Sequence, residues 1–261
     1  MTSTFYPLVI AMESLRFRSI WISDVHLGLA DCKAEFLVRF LEATESDYLY
    51  LVGDIIDLHN MKNGWYWPQT HTSVIQKLLA KARNGTRVVY IPGNHDEALR
   101  QYAGKLLGPI TITLQAIHRT ADGRRLLILH GDEFDVLIKH NVLLISLGSR
   151  FYELLLWLNR LLNRVRGILG YPYWSLSAHL KTKVKRAILY MDRFEAVAAH
   201  EAARCAVDGL VCGHIHKAAI RRVNQVLYCN DGDWVESCTA LVERHDGSLE
   251  LLDWLKIKPA L

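Results

Sequence analysis

Five short apolar runs in this 261-residue chain each end in Asp, Asn or His, residue types that hold metal ions and move protons. Ile20-Trp21-Ile22 leads into Asp24 and His26, Leu49 to Val52 into Gly53-Asp54, and Val88 to Ile91 into Asn94-His95-Asp96. Leu126 to Leu129 leads into His130-Gly131-Asp132, and Leu210-Val211-Cys212 into His214 and His216. Any one of these histidines alone reads as a hydrogen-bonded core or surface residue, and Asn94 or Asp96 alone as a turn or helix cap. Five of the twelve histidines at such positions point to a shared site. The other seven, His59, His71, His118, His140, His179, His200 and His245, read as ordinary residues, with His59 nearest the set because it follows Asp57.

Nitrogen and oxygen donors without thiolate suit Mn²⁺, Fe or Zn²⁺. Asp24, His26, Asp54, Asn94, His130, His214 and His216 are too many for one tetrahedral zinc and suit two ions that share a carboxylate. Two divalent cations outweigh Asp24, Asp54 and a bridging hydroxide, so such a site stays positive and attracts an anion. Paired ions roughly 3.5 to 4 Å apart are the usual device for in-line attack of water on phosphorus. Asp57 and Asp132 fit better as supports than as ligands, since a ligating histidine needs its second ring nitrogen held.

Strands and helices alternate in the first hundred residues. Phe36, Leu37, Phe40 and Leu41 mark one helix; Val74, Ile75, Leu78, Leu79 and Ala82 mark a second, closed by Asn84-Gly85. This predicts parallel βαβ units joined through a loop over 58–69. An extended run from Ile110 to Ile117, paired runs Ala218 to Val223 and Val226 to Cys229, and a hairpin around Asp246-Gly247 predict antiparallel additions. Ligands of open α/β sheets sit beyond the carboxyl ends of strands, so this order puts the whole set on one rim.

With 51% hydrophobic and 22% charged residues the chain is a folded globular protein. Five cysteines, odd in number and without C-x-x-C spacing, exclude a disulfide framework or thiolate zinc cluster and fit a reducing, cytoplasmic setting. The run Phe5 to Met12 is too short and lacks the basic start of a signal peptide; Met12 is an alternative start. No apolar run approaches the roughly 18 to 20 residues that span a bilayer.

Net charge is +4, but Phe134 to Arg193 carries ten Lys and Arg against Asp135, Glu153 and Asp192, which is +7 and leaves −3 elsewhere. The same stretch has a broad apolar face running from Leu143, Leu144 and Leu147 to Leu161, Leu162 and Val165, and a break at Gly170-Tyr171-Pro172. We read residues 1–18 as an N-terminal tail, 19–133 with 206–261 as the core, and 134–205 as a helical cap. A cap both apolar and cationic suits a phosphorylated substrate with acyl chains and rests on an anionic membrane surface.

The motifs carried by Asp24 to His26, Gly53-Asp54, Gly93-Asn94-His95-Asp96, His130-Gly131-Asp132 and Gly213-His214-Ile215-His216, in that order, resemble those of the calcineurin-like metallophosphoesterases. The resemblance implies an α/β fold of mixed sheets flanked by helices, in four αββα layers, with the cap as an insertion. It implies that Asp24, His26, Asp54 and His216 hold one metal and that Asp54, Asn94, His130 and His214 hold the other. It makes His95 the general acid or transition-state donor, oriented by Asp96, with Asn94 and His95 on the substrate.

Within that superfamily the cap, the segment Ile188 to Asp192 and Gly232-Asp233-Trp234 resemble the UDP-2,3-diacylglucosamine pyrophosphatases of lipid A biosynthesis. Those enzymes hydrolyse the pyrophosphate with Mn²⁺ to UMP and 2,3-diacylglucosamine 1-phosphate. The likeness implies that Lys181, Lys183 and Arg186 contact substrate and that the protein works at the cytoplasmic face of the inner membrane; no protein partner is inferred. Many members carry Arg where this chain has His95, whereas phosphodiesterases and phosphatases of the wider superfamily carry His, which leaves another phosphate ester open as substrate. A nuclease would use the basic segment along a nucleic-acid backbone but has no use for the leucines, so nucleic acid is not the expected partner. A catalytically silent scaffold is disfavoured because every ligand position is filled.

Overall fold

A computed structural model describes residues 14–62, 64–139 and 176–257. The run Phe5 to Met12, the leucines from Leu143 to Val165 and the break at Gly170-Tyr171-Pro172 lie outside the described residues, as do the side chains of Lys181, Lys183 and Arg186.

Strands β1 (Leu15–Ile22), β2 (Thr44–Val52), β3 (Arg87–Ile91), β4 (Leu106–Leu107) and β5 (Ile110–Ile112) form one sheet with β11 (Thr239–Glu243) and β12 (Leu249–Asp253), ordered β12-β11-β1-β2-β3-β5-β4. Strands β6 (Ala116–Arg119), β7 (Arg125–Ile128), β8 (Gly209–Cys212), β9 (Ala219–Val223) and β10 (Val226–Asn230) form the second, ordered β6-β7-β8-β10-β9. The expected parallel units are β1 with β2 and β2 with β3, and the later hairpins pair antiparallel. β7, β8 and β10 also run parallel, so both sheets present carboxyl ends.

Three apolar layers hold these elements. α1 (Ala34–Ala43) and α3 (Gln69–Arg83) bury Leu37, Phe40, Val74 and Leu78 against the first sheet. Trp21, Val52 and Ile91 meet Ile128, Val211 and Cys229 between the sheets. α4 (Glu133–Lys139) and α5 (Leu176–Arg204) pack Phe134, Phe194, Ala198 and Ala202 against Leu127, Leu210 and Tyr228 of the second. The result is the four-layer αββα arrangement.

Several boundaries differ from expectation. β1 begins at Leu15 because Phe17 is buried and Leu15 already pairs with Thr44, so residues 15–18 belong to the sheet and not to a tail. The run Ile110 to Ile117 breaks at 113–115 and feeds β5 in one sheet and β6 in the other. The loop over 58–69 contains α2 (Leu58–Met61), capped by Asp57 accepting from the Asn60 amide at 2.9 Å. α4 and the carboxyl half of α5, expected in a separate cap, form the outer layer of the core; alanines at 198, 199 and 202 let the helix approach the sheet closely.

His118 locks the two sheets together. Its Nε2 lies 2.8 Å from buried Glu243, which also accepts from Ser19 Oγ at 2.7 Å, from Arg18 at 2.8 Å and from the Ala121 amide at 2.7 Å. Burial opposes ionisation of Glu243, but the bonds from His118, Ser19 and Ala121 prevail and bring its pKa from 4.5 to about 2. A depressed carboxyl pKa stabilises the fold above the unfolded value and loses that contribution as pH falls through the folded one. Glu243→Gln, which strands Arg18 against a neutral group, is therefore expected to cost about 3 to 5 kcal/mol at pH 7. In urea unfolding the gap from wild type should narrow between pH 4.5 and about 2; a gap independent of pH would place the acid-labile interaction elsewhere.

Candidate metal centre

At the carboxyl ends of both sheets the chain bends sharply to deliver its polar side chains. Asp24, His26, Asp54, His214 and His216 have φ between 49° and 67°. Left-handed backbone is uncommon outside glycine, costs about 1 to 3 kcal/mol and concentrates at functional sites. Backbone bonds hold it: the Asp24 and His26 amides donate to the Gly53 and Asp54 carbonyls at 3.0 and 2.9 Å. Gly53, with φ +86°, and Gly93 are required by close approach. A Cβ on Gly53 would lie 2.2 Å from His130 Nδ1, and one on Gly93 would lie 2.3 Å from Asp54 Oδ1.

Three overlapping groups have donor atoms within 4.8 Å of one another: Asp24 with His26 and His216, His26 with Asp54 and His95, and Asp24 with Asp54 and His130. Asp24, His26 and Asp54 each belong to two of them, so the groups form one continuous cluster. Asp24 Oδ1, His26 Nε2, Asn94 Oδ1 and His130 Nε2 are buried without a hydrogen-bond partner. Each such atom costs about 1 to 3 kcal/mol unless something satisfies it. All four are on residues of the predicted ligand set, so the donors fit divalent cations.

The charges agree with this. His130 Nδ1 contacts the Val52 carbonyl at 2.8 Å, which fixes the proton there and leaves Nε2 3.3 Å from Asp54 Oδ2. Burial disfavours the charged imidazole, yet Asp54 and Asp24 raise its pKa to about 10. The carboxylates demand positive charge at Nε2, which a divalent ion supplies as well as a proton. Burial likewise opposes ionisation of Asp24 and Asp54, but His216 for the first and His130 for the second hold both below the ordinary carboxylate range.

Asp57 supports two rings at once. Its Oδ2 lies 3.1 Å from His26 Nδ1 and its Oδ1 3.0 Å from His95 Nδ1. The remaining nitrogen of each ring is thereby left for the site. Burial raises the Asp57 carboxyl, but bonds from His95 and Asn60 outweigh it and keep it low.

Asp96 does not orient His95. It accepts from the Gly93 amide at 2.6 Å, from Tyr90 Oη at 2.5 Å and from the Ile55 amide at 2.9 Å, stapling the loop after β3 to the loop after β2. Following His95 in sequence puts its side chain beneath the loop, which is why Asp57 takes the orienting role. Asp132 touches no histidine among the described residues: it pairs with Arg100 at 2.7 and 2.8 Å and braces the 3₁₀ helix Glu97–Tyr102. His214 stands outside the three groups, although its ring centroid is 5.2 Å from that of His130. Lys181, Lys183 and Arg186 fall on α5.

Three contributions have no sequence signature. Ser23 Oγ lies 2.5 Å from Asp24 Oδ2 and 2.6 Å from Asp231 Oδ1. One hydroxyl proton cannot serve both, and burial pushes Asp231 well above the carboxylate range, so Asp231 carries the second proton and Asp24 stays charged. The Trp234 amide holds the Asp24 carbonyl at 3.0 Å, which gives Gly232-Asp233-Trp234 a structural role. Asp135, counted in the sequence only as an acid, reaches His214. A cavity of about 590 Å³ lined by Arg16, Glu42, Asp47, Lys77 and Lys81 sits at the amino ends of β1 and β2, away from this rim.

A family model described as calcineurin-like phosphoesterase matches residues 17–218. The chain belongs to the calcineurin-like phosphoesterase family. This calcineurin-like phosphoesterase is 28% identical over 116 residues to a UDP-2,3-diacylglucosamine hydrolase of Blochmanniella pennsylvanica, a match covering 43% of this chain and 46% of that protein. The chain thus spans less than half the length of that curated relative. Similar solved structures include a predicted phosphoesterase from Streptococcus pneumoniae TIGR4, 15% identical, covering 94% of each chain at TM-score 0.41. A phosphoesterase from E. coli is 16% identical, covering 90% of this chain and 98% of that one at TM-score 0.41. The family hydrolyses phosphate esters with divalent metals, and the ligand groups above are the candidates to hold them. No described helix is long and apolar enough to cross a membrane.

Proposed function

We propose that the chain is a two-metal hydrolase that cleaves the pyrophosphate of UDP-2,3-diacylglucosamine to UMP and 2,3-diacylglucosamine 1-phosphate. The observation that carries the reaction class is the convergence of Asp24, His26, Asp54 and His130, with four buried donor atoms, Asn94 Oδ1 among them, unpartnered. Support for the substrate comes from the 28% identical stretch shared with the Blochmanniella hydrolase and from the basic, leucine-rich sequence between Phe134 and Arg193. That composition suits a diacylated anion presented at the acidic cytoplasmic face of the inner membrane.

Asp24, His26, Asp54 and His216 would hold one ion, and Asp54, Asn94, His130 and His214 the other, with Mn²⁺ suited to such a nitrogen and oxygen set. When bound, paired divalent ions supply an activated water and positive charge against the phosphoryl oxygens. A ring nitrogen of His95 lies within 4.8 Å of donor atoms of His26 and Asp54, close enough to donate a proton to a phosphoryl or leaving oxygen. Asp57 holds the ring, and Asn94 and Lys181, Lys183 and Arg186 bind the anion.

Purified protein with Mn²⁺ is expected to release UMP from UDP-2,3-diacylglucosamine in a metal-dependent reaction. Absence of release at saturating Mn²⁺ would sink this substrate. A second reading, a phosphodiesterase or phosphatase on another ester, is favoured by His95 standing where many of the pyrophosphatases carry Arg. Turnover of bis(p-nitrophenyl) phosphate without UMP release would select it.

A further inference from the structure

His214 is held from outside the two sheets. Asp135 Oδ1, on α4, lies 3.2 Å from His214 Nε2, and Tyr190 on α5 donates its hydroxyl to the same carboxylate. Phe194, fully buried one turn further along α5, stacks on the His214 ring at 6.0 Å and 29°. Gly131 leaves room for it, since a Cβ there would meet Phe194 Cζ at 2.8 Å. From the other side the His214 amide donates to Asp24 Oδ2 at 2.9 Å. Nδ1 of His214 has no hydrogen-bond partner among the described residues. Both segments flanking the insertion therefore converge on one imidazole.

We propose that Asp135 is a positioning residue: it fixes the proton of His214 on Nε2, frees Nδ1 as the donor for one of the two ions, and is itself aligned by Tyr190. Docking of α5 against α4 then sets the affinity of that ion. A carboxylate on the far nitrogen of a ligating histidine fixes tautomer and ring orientation and raises basicity; losing it typically costs about 10- to 100-fold in metal affinity. His214 needs such a support more than its neighbours do, because the main chain fixes His130 through Val52 and Asp57 fixes His26.

The inference rests on the two-metal reading, and Mn²⁺ binding to the full chain without substrate tests it. Wild type should take up two ions in equilibrium dialysis; fewer than two overturns both readings before any variant is compared. D135A should weaken one ion by about 10- to 100-fold and spare the other, with an unchanged unfolding midpoint in metal-free protein. D135N, which keeps an acceptor for Nε2–H, should recover most of the loss, and Y190F, which keeps the ring on Phe194, should show a smaller one. Wild-type affinity for both ions in D135A overturns the proposal. So does an equal loss of both ions in D135A and D135N with a matching fall in the metal-free midpoint, the pattern of a purely structural contact.

Discussion

Asp54→Asn is expected to lower kcat/KM by more than about 100-fold, the upper range for losing a mere support of a metal ligand, and to reduce Mn²⁺ uptake while the metal-free fold persists. Asp54 belongs to two of the donor groups, as Asp24 and His26 do, and it alone of the three is predicted to ligate both ions, so its charge should be felt at both positions. Its Oδ1 accepts from the His95 amide at 2.7 Å and its Oδ2 faces His130 Nε2 at 3.3 Å. In the Asn variant the amide oxygen still accepts from His95. With the carboxylate gone, the His130 pKa falls from the level that Asp54 and Asp24 sustain, and a neutral Nε2 accepts the new N–H. The metal-free site loses a charge-assisted contact to His130 but keeps the backbone bond from His95, whereas the bridging anion is gone and an N–H group occupies the side where a cation belongs. Metal analysis and thermal unfolding, read together with turnover, separate the two consequences. A variant that holds two Mn²⁺ and turns over at the wild-type rate would dismiss Asp54 as the shared ligand.

Asp24, His26, Asp54, Asn94, His130 and His216 are legible because short continuous apolar runs announce strand ends, and the parallel order forces those ends to one rim. The four layers follow from the family resemblance that those motifs carry. What is not legible is which side chain supports which, since these pairs are distant in sequence and depend on small backbone turns. Asp96 follows His95 directly, yet its side chain turns down to Tyr90 and the Ile55 amide, and Asp57 reaches the imidazole instead. Asp132 sits in the His130 motif but pairs with Arg100, while Asp135, one helical turn on, reaches His214. Ser23 and Asp231 become a proton-sharing pair only when β1 and β10 end side by side. Apolar periodicity cannot distinguish a helix that packs on a cap from one that packs on the sheet; burial of Phe194 and Ala198 puts the carboxyl half of α5 on the second sheet.

His95 carries the other large effect and also discriminates between substrates. His95→Ala leaves the backbone N–H on Asp54 and removes a ring that stands edge-on to His26 at 4.7 Å between centroids but is not in the predicted ligand set, so Mn²⁺ stoichiometry should stay at the wild-type value. Loss of a proton donor or transition-state hydrogen bond typically lowers kcat by about 10² to 10⁴-fold, and that is the expected range here. Asp57→Asn should reproduce part of the fall by loosening the ring, and because Asp57 also holds His26 at 3.1 Å it should weaken metal binding, which His95→Ala does not. His95→Arg separates the two candidate reactions. Arginine stays protonated and forms bidentate contacts to phosphate oxygens, but it does not transfer a proton. A pyrophosphate releases a phosphate group that leaves without protonation, so an anhydride hydrolase should retain much of its activity with Arg at this position. An ester whose leaving alkoxide needs a proton should be cleaved by His95→Arg no better than by His95→Ala. Measuring both variants on UDP-2,3-diacylglucosamine and on an alkyl phosphodiester decides whether His95 serves here as a proton source or as one more positive group at the phosphate.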